Sequence, residues 1–207
     1  MTPASSAEFS SAVSNYRFTN PSFLIEALTH KSYVNERRDS GRKHNERLEF
    51  LGDAVLSLIV SDYLTRQYPE FSEGTLSKLK AKLVSEAPLA NVARRLGLGA
   101  RLKLGRGEER SNGRDKASLL ADALEAVIAA VYLDGGFEAS RNFTIEVLTD
   151  ELRQIDILQE QPGGDDYKTR FQEWCQKRYE LLPRYVIVRE TGPDHQKVFE
   201  VEVQVND

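Results

Sequence analysis

Five carboxylates recur at helical spacing inside two strongly apolar segments of the chain. They are Glu46, Glu49 and Asp53 in the first segment and Asp122 and Glu125 in the second. At 100° per residue, the first three side chains fall within roughly 60° of one another, and the last two lie one turn apart. The spacing therefore predicts one acidic stripe on each of two helices.

The apolar surroundings of these stripes indicate what chemistry they suit. Leu, Val and Ile residues cover most other directions of both helices, so we expect protein to enclose the helices. A buried carboxylate without a partner is very costly, and neither segment contains enough Lys or Arg to neutralise five of them. Mg²⁺ prefers a few carboxylates together with water and phosphate oxygens. The pattern therefore predicts an acidic Mg²⁺ site between two core helices.

A simpler explanation exists for each carboxylate taken alone. A single Glu or Asp on a core helix is more often at a solvated edge or in an ion pair. That explanation weakens when acidic residues recur three and four positions apart on two helices that are otherwise apolar. The set as a whole favours the metal site.

The residues around the acidic stripes also resemble a known family. The run NERLEFLGD at residues 45–53 is similar to the signature of ribonuclease III, and the second acidic segment with YLDGG at 132–136 resembles that family's second catalytic segment. Three further stretches match in the same order: 27–33, 73–77 and 105–111. The resemblance covers essentially the whole chain.

The resemblance implies a Mg²⁺-dependent endoribonuclease of double-stranded RNA, with Mn²⁺ able to substitute and no organic cofactor. Paired Mg²⁺ ions would lower the pKa of a bound water and clamp an in-line displacement. The implied products carry 5′-phosphate and 3′-hydroxyl ends with short 3′ overhangs, and the implied role is processing of ribosomal and other RNA precursors. The metal residues implied are Glu49, Asp53, Asp122 and Glu125, of which Asp53 and Glu125 are the catalytic pair.

The same resemblance gives other residues less direct roles. Glu46 and Glu73 match outer acidic positions, closer to the RNA and to the subunit boundary. The family forms homodimers, and the counterpart of Phe50 inserts into the partner subunit, although a core aromatic is the alternative for Phe50. A chemical role for His30 or Lys31 is conceivable, but their stretch more often packs against the signature helix.

Composition limits the possible classes. The chain has 207 residues, 40% hydrophobic and 29% charged, which suits one good core and a small appendage. We expect no membrane partner, because no apolar run approaches the roughly 20 residues that cross a bilayer. One Cys fits a cytoplasmic location, and one Cys with three His disfavours structural zinc. A net charge of −4 means that RNA contacts must come from local surfaces.

Helical periodicity predicts an all-α endonuclease domain over residues 1–155. Asn20 and Pro21 would open an early helix as its N-cap and first-turn proline, and the glycines at 135 and 136 would end the second acidic helix. Residues 104–115, rich in Gly, Arg and Glu, are expected to form a long loop.

A linker at residues 156–165 is expected before a small α+β domain at residues 166–207. A helix at 167–180 and strands at 185–189 and 199–205 resemble the first part of a double-stranded-RNA-binding domain, and a generic α+β fragment is the alternative. The chain ends before that domain's third strand and second helix, so we expect an incomplete, helix–strand–strand version of it.

The resemblance also assigns residues that contact RNA. Phe171 and Trp174 are expected on the inner side of the appended helix. The residues that match the minor-groove surface of the family are Thr169, Gln172, Glu173 and His195. Residues that could touch phosphate, or could equally lie in a solvated loop, are Arg106, Arg110, Arg114 and Lys116.

Two rival functions are compatible with parts of this pattern. A catalytically silent relative could act as an RNA-binding scaffold, but such a protein could lose its acidic residues and all of them are present here. A different metal-dependent phosphohydrolase would usually add His ligands, and His44 is the only histidine near either stripe.

Overall fold

The computed structural model of the chain describes residues 16–37, 41, 43–160, 167–192 and 197–205. Its contacts define two compact units, with the division between Ile155 and Asp156. None of the helices in these ranges is both long and apolar enough to cross a membrane.

The described part of the first unit is built from helices, as predicted. In chain order they are α1 (Pro21–Ala27), α2 (Lys31–Arg37), α3 (Glu46–Gln67), α4 (Glu73–Leu83), α5 (Glu86–Arg95), α6 (Leu98–Arg101), α7 (Arg106–Arg110), α8 (Ala117–Val147) and α9 (Thr149–Glu160). A 3₁₀ turn, Gly113–Asp115, precedes α8. The expected N-cap is also found, because the Asn20 side chain accepts a hydrogen bond from the backbone N–H of Ser22.

Helices α3 and α8 form the centre of this unit and pack together more extensively than any other described pair of helices. From Leu119 to Val131, every residue of α8 is buried except Asp122 and Glu125, which are half-buried. Protein therefore encloses α8, as the apolar sequence predicted.

The same expectation was wrong for α3. Phe50 and Leu58 are 81% and 57% exposed, and Ala54 between them is exposed too. These residues recur every four positions and so share one side of the helix. The opposite side, with Leu56, Ile59 and Val60, supplies the buried contacts. The apolar residues of α3 thus form two distinct faces, one buried in the core and one exposed.

Gly52 sets how closely α3 and α8 approach. A Cβ atom at this position would lie 2.0 Å from the backbone carbonyl oxygen of Glu125. No side chain fits in that space, so the two helix backbones touch at this point. Because Gly52 lies between Glu49 and Asp53, the close crossing brings the two acidic stripes together.

The second acidic helix bends where the sequence predicted that it would end. Gly136 has φ +79° and ψ −175°, which interrupts α8 with a kink. Just before the kink, the Asp134 carboxylate accepts hydrogen bonds from the Tyr16 hydroxyl at 2.7 Å and from the N–H groups of Thr19 and Asn20 at 2.8 and 2.7 Å. These bonds fasten the segment before α1 to the first half of α8.

The expected long loop at residues 104–115 is instead folded into α7 and the 3₁₀ turn. The Glu36 carboxylate accepts hydrogen bonds from the N–H groups of Arg106 and Gly107 at 2.8 and 3.0 Å, and it caps α7 from outside. Arg114 donates to the carbonyl oxygens of Gly99 and Leu102 at 2.7 and 2.9 Å. Local side-chain bonds of this kind give no periodic signal in the sequence.

The second unit contains α10 (Tyr167–Tyr179) followed by an antiparallel hairpin of β1 (Arg184–Thr191) and β2 (Val198–Gln204). The strands pair from Arg184 opposite Gln204 to Thr191 opposite Val198. Helix, strand and strand occur in the predicted order, which confirms the α+β assignment.

The inner side of α10 differs from the prediction. Trp174 is 51% exposed, and Cys175 is the fully buried residue. Trp174 lies against neighbouring aromatic rings on the surface, stacking on Phe171 at 6.0 Å and meeting Tyr179 edge-on at 5.5 Å. Trp174 therefore packs in an aromatic cluster on the helix surface and not in a hydrophobic core.

We predict that Gly52→Ala lowers the free energy of unfolding by about 1–3 kcal/mol or more, because the new methyl group meets backbone that cannot turn aside. Gly74→Ala is the matched control: it lies in α4, where a Cβ would meet only the Ser72 hydroxyl at 3.9 Å. Alanine favours a helix over glycine, so no loss is expected there. Denaturant unfolding of both variants measures this, and equal stabilities would contradict the close crossing.

Candidate active site

A polar cleft of about 320 Å³ opens beside the first turns of α3 and α8. Its lining residues are His30, Lys31, Asn45, Glu46, Glu49, Glu108, Lys116, Leu119 and Asp122. They come from the start of α2, the start of α3, α7 and the start of α8. The cleft therefore depends on four elements that the α3–α8 crossing and the capped α7 hold in place.

The five carboxylates of the two stripes are less buried than expected. Glu49, Asp122 and Glu125 are half-buried, whereas Glu46 and Asp53 are exposed. Of the five, Glu46, Glu49 and Asp122 line the cleft, whereas Asp53 and Glu125 are not among its lining residues.

Mutual repulsion links these carboxylates. Burial, followed by the charges of Asp53, Asp122 and Glu49, raises the pKa of Glu125 to about 7. Burial and then the charges of Asp122 and Glu46 raise the pKa of Glu49. The pKa of Asp122 is also raised, first by burial and then by Glu86. The site concentrates negative charge that the protein itself leaves largely uncompensated.

One lysine offsets part of this charge at the edge of the cleft. Lys31 Nζ lies 2.7 Å from Glu46 Oε1, and this hydrogen bond is the main reason that the pKa of Glu46 is lowered. Both side chains are about half exposed, so the ion pair adds little stability. Among the described residues, no ion pair engages Glu49, Asp53, Asp122 or Glu125.

These donors suit a hard divalent cation. Half-buried carboxylate oxygens with raised pKa values gain most from a cation that replaces the missing counter-charge. In the part of the chain that the structure describes, no group of three or more His, Cys, Asp or Glu side chains is arranged so that it could hold a metal ion. In general, Mg²⁺ keeps several waters and binds through one or two carboxylates plus substrate phosphates.

Glu73 lies apart from the other acidic residues. It opens α4, accepts a hydrogen bond from the Ser77 hydroxyl at 2.7 Å, and lines a separate small cleft with Ser61 and Thr65 of α3. Ser61 and Thr65 follow Glu49 by 12 and 16 residues, which is about 18–24 Å along a helix axis. Within one chain, therefore, Glu73 does not join the main acidic cleft.

The predicted RNA-contacting residues are only partly described. Gln172 is half-buried on α10, and Thr169 and Glu173 lie on the same helix with side chains outside the described set. His195 also lies outside the described residues. Among the basic residues at 106–116, Arg114 donates a hydrogen bond to the Gly99 carbonyl. Lys116 lines the cleft, and its Nζ atom lies 3.4 Å from Glu108 Oε1.

Sequence reasoning missed several polar residues of the cleft. Asn45 is 2% exposed and its Oδ1 atom has no hydrogen-bond partner among the described residues. Its place next to Glu46 in the signature run could have marked it. Glu108 gave no signal, because α7 was expected to be a loop.

A helical unit with an acidic cleft, followed by an α–β–β unit, is consistent with a nuclease joined to a nucleic-acid-binding module, and comparison with known proteins supports this class. Residues 20–152 match the family described as Ribonuclease-III-like, and residues 167–207 match the Double-stranded RNA binding motif. The chain belongs to the ribonuclease III family. It is a hydrolase, an endoribonuclease that acts on double-stranded RNA.

Similar curated proteins support this assignment. "Ribonuclease 3" of Pseudothermotoga lettingae is 48% identical over 194 residues, which span 92% of this chain and 80% of that protein. "Ribonuclease 3" of Heliobacterium modesticaldum is 53% identical over 183 residues, 88% of this chain and 76% of that protein. Among solved structures, the nuclease domain of ribonuclease III from Campylobacter jejuni superposes with a TM-score of 0.64 at 38% identity, covering 77% of this chain and 97% of that one.

The raised pKa of Glu125 predicts a pH-dependent stability in the absence of divalent ions. The folded protein holds this proton more tightly than the unfolded chain, so the stabilisation is fully present below pH 4.5 and is lost as pH rises through about 7. We expect the free energy of unfolding of the parent to fall relative to Glu125→Gln across this window. Denaturant unfolding with a chelator at several pH values measures the difference. Saturating Mg²⁺ should reduce it, and parallel pH curves without metal would contradict the assigned repulsion.

Proposed function

We propose that the acidic cleft hydrolyses phosphodiester bonds of double-stranded RNA with Mg²⁺, or with Mn²⁺ in its place. The products would carry 5′-phosphate and 3′-hydroxyl ends with short 3′ overhangs, and the substrates would include precursors of ribosomal and other RNAs. The observation that supports this best is the coupling of four carboxylates across the helix crossing, where Asp53, Asp122 and Glu49 all raise the pKa of Glu125.

In this mechanism the four coupled carboxylates, Glu49, Asp53, Asp122 and Glu125, would hold the metal, and Asp53 and Glu125 would be indispensable. When bound, Mg²⁺ would neutralise charge on the phosphate and lower the pKa of a water at neutral pH. The residues of the chain position these groups, because the Gly52 contact fixes the spacing of the two acidic stripes. Lys31 at the cleft edge lowers the pKa of Glu46 through its hydrogen bond.

We also propose that two copies of the chain act together on the duplex. The open side of α3 carries Phe50, Ala54 and Leu58 in one exposed apolar row beside Asp53. A two-fold pair would bury this row and give one cleft to each antiparallel strand. A second structure of the Campylobacter jejuni nuclease domain, 40% identical to this chain, is described as showing structural flexibility in a region involved in dimer formation.

Glu73 is consistent with such a pair. It lies about 20 Å along α3 from the acidic cleft of its own chain. Glu73 could therefore act near the cut only at the cleft of a second copy of the chain. An antiparallel arrangement of two α3 helices would place the Glu73 end of one chain near the Glu46 end of the other. We therefore assign Glu73 to RNA placement at the subunit boundary.

In the second unit, we assign RNA contacts to the first helix and to the turn between the strands. Those residues are Thr169, Gln172, Glu173 and His195. Double-stranded RNA is recognised largely by shape, through 2′-hydroxyl and phosphate contacts across the minor groove. The match of residues 167–207 to the Double-stranded RNA binding motif supports this assignment.

Glu125→Gln tests the metal site. The change keeps size and hydrogen-bonding capacity but removes the charge, so we expect cleavage of a long RNA duplex in Mg²⁺ to fall by orders of magnitude while duplex binding stays nearly unchanged. Ca²⁺ accepts looser geometry than Mg²⁺, so with the parent protein we expect it to support binding but little hydrolysis.

Glu138→Gln is a matched control for this test, because Glu138 lies on the same helix beyond the Gly136 kink. It should cleave like the parent. Near-parental cleavage by Glu125→Gln at saturating Mg²⁺ would falsify the assigned role, and equal turnover with Ca²⁺ and Mg²⁺ would rule out the proposed metal requirement.

Phe50→Ala tests the paired arrangement. Truncating an aromatic anchor at the centre of an interface commonly costs about 2 kcal/mol or more, so sedimentation should show a concentration-dependent monomer fraction that the parent lacks. Ile25→Ala, on α1, removes another exposed apolar side chain and should sediment like the parent. A parent protein that is monomeric at micromolar concentration would exclude the symmetric cut.

A further inference from the structure

His30 lines the acidic cleft, yet none of the roles given above uses it. Its side chain is only 9% exposed, which is unusual for a residue at the edge of a solvent-filled cleft. The imidazole therefore occupies a defined position whose hydrogen bonds can be followed atom by atom.

Neighbouring groups fix which ring nitrogen carries the proton. His30 Nδ1 lies 2.8 Å from the Ser32 hydroxyl and accepts a hydrogen bond from the Ser32 backbone N–H at 3.3 Å. The Gly105 N–H donates to the same hydroxyl at 2.9 Å, so the hydroxyl proton is free to point at His30 Nδ1. A backbone N–H can only donate, so Nδ1 presents its lone pair and the proton of the neutral ring lies on Nε2.

The ring is held in its neutral form. Burial is the largest influence and lowers the pKa of His30, and the charges of Lys31 and His44 lower it further. Glu108 and Glu46 raise it, but the net effect is a lowered pKa. The Nε2–H group is thus an uncharged donor, and among the described residues it has no hydrogen-bond acceptor.

The backbone around His30 is also fixed. The His30 N–H donates to the Lys103 carbonyl at 3.1 Å, and its carbonyl accepts from the Tyr33 N–H at 3.0 Å. One residue earlier, the Thr29 carbonyl accepts from the Asn45 N–H at 2.9 Å, immediately before the signature helix. The donor is therefore held in a constant position relative to the acidic stripe of α3.

We propose that His30 is a further substrate-contacting residue, whose Nε2–H donates to a non-bridging phosphate oxygen of the RNA strand that is cut. This inference rests on the proposed function of the cleft. A protonated Nε2 has no lone pair, so His30 is not a metal ligand in this form. Lys31 and Lys116 line the same cleft and offset two of its four carboxylates. The divalent cation of the proposed function would offset the remaining charge, so that an anionic phosphate can enter. A preorganised donor of this kind favours charge that develops in the transition state.

The tautomer can be measured without any reaction. In the ¹⁵N-labelled full chain without metal or RNA, long-range ¹H–¹⁵N spectra should show one neutral histidine at pH 7 with Nε2 protonated and Nδ1 unprotonated. The chain has three histidines, and the signal that disappears in His30→Gln identifies the residue. A cationic ring, or a proton on Nδ1, would overturn the proposal.

Cleavage tests the contact with a matched pair of variants. The amide nitrogen of Gln reaches the place of Nε2, whereas that of Asn reaches only the place of Nδ1. In single-turnover cleavage at saturating Mg²⁺, we expect His30→Asn to lose roughly a hundredfold in rate, the size of losing one transition-state donor. His30→Gln should cleave clearly faster than His30→Asn, and both should bind duplex RNA in Ca²⁺ with nearly parental affinity.

Two further arms separate the remaining outcomes. If Glu125→Gln is inactive while His30→Asn cleaves like the parent, the proposed function stands and this inference fails. If His30→Gln and His30→Asn lose rate equally, and melt at a lower temperature than the parent, the role is structural and the inference fails too. A duplex with one 2′-deoxy residue at the cut tests the acceptor: loss of the His30→Asn effect on that duplex would assign the contact to the 2′-hydroxyl and overturn the phosphate assignment.

Discussion

The contact of two helix backbones at Gly52 and Glu125 is the constraint on which the acidic cleft depends. A side chain as small as a methyl group at position 52 would meet the Glu125 carbonyl. Any wider crossing would separate Glu49 and Asp53 from Asp122 and Glu125, and the repulsion that raises the pKa of Glu125 would weaken with it. The carboxylates of the two helices therefore repel one another strongly only because Gly52 has no side chain and lets the two backbones touch.

The hydrophobic core beside this crossing offsets the free-energy cost of the repulsion among the carboxylates. Leu124 and Ile128 of α8 and Ile59 of α3 are fully buried on the side away from the cleft. Large apolar side chains of this kind each contribute about 1.5–3 kcal/mol when buried. The unpaired carboxylates cost part of that stability, and a bound cation would return it. A divalent cation bound as proposed would therefore stabilise the fold through the same two helices.

The sequence predicted the helical character of the first unit except at α7, and the helix–strand–strand order of the second unit, because periodicity and glycine signals are local. It predicted that the second acidic helix ends at residues 135 and 136, where the structure has a kink at Gly136 instead. It placed the two acidic stripes on α3 and α8, and the structure brings these stripes together. Periodicity did not predict the open side of α3, since exposed Phe50 and Leu58 look the same in sequence as core residues. Only the family resemblance placed Phe50 at a partner subunit. The sequence did not predict the surroundings of His30 either, because hydrogen bonds between distant segments define them. Asn45 could have been found from its place beside Glu46 in the signature run.

The cap that Glu36 places on α7 has a consequence for selectivity between anions. A glycine-containing turn that leads into a helix is a ready cradle for phosphate, because its N–H groups point outward at the positive end of the helix. Here the chain fills the cradle with its own carboxylate, which takes the N–H groups of Arg106 and Gly107. These N–H groups are therefore already engaged by a carboxylate of the chain and do not add donors for another anion, a few residues from Glu108 at the edge of the cleft.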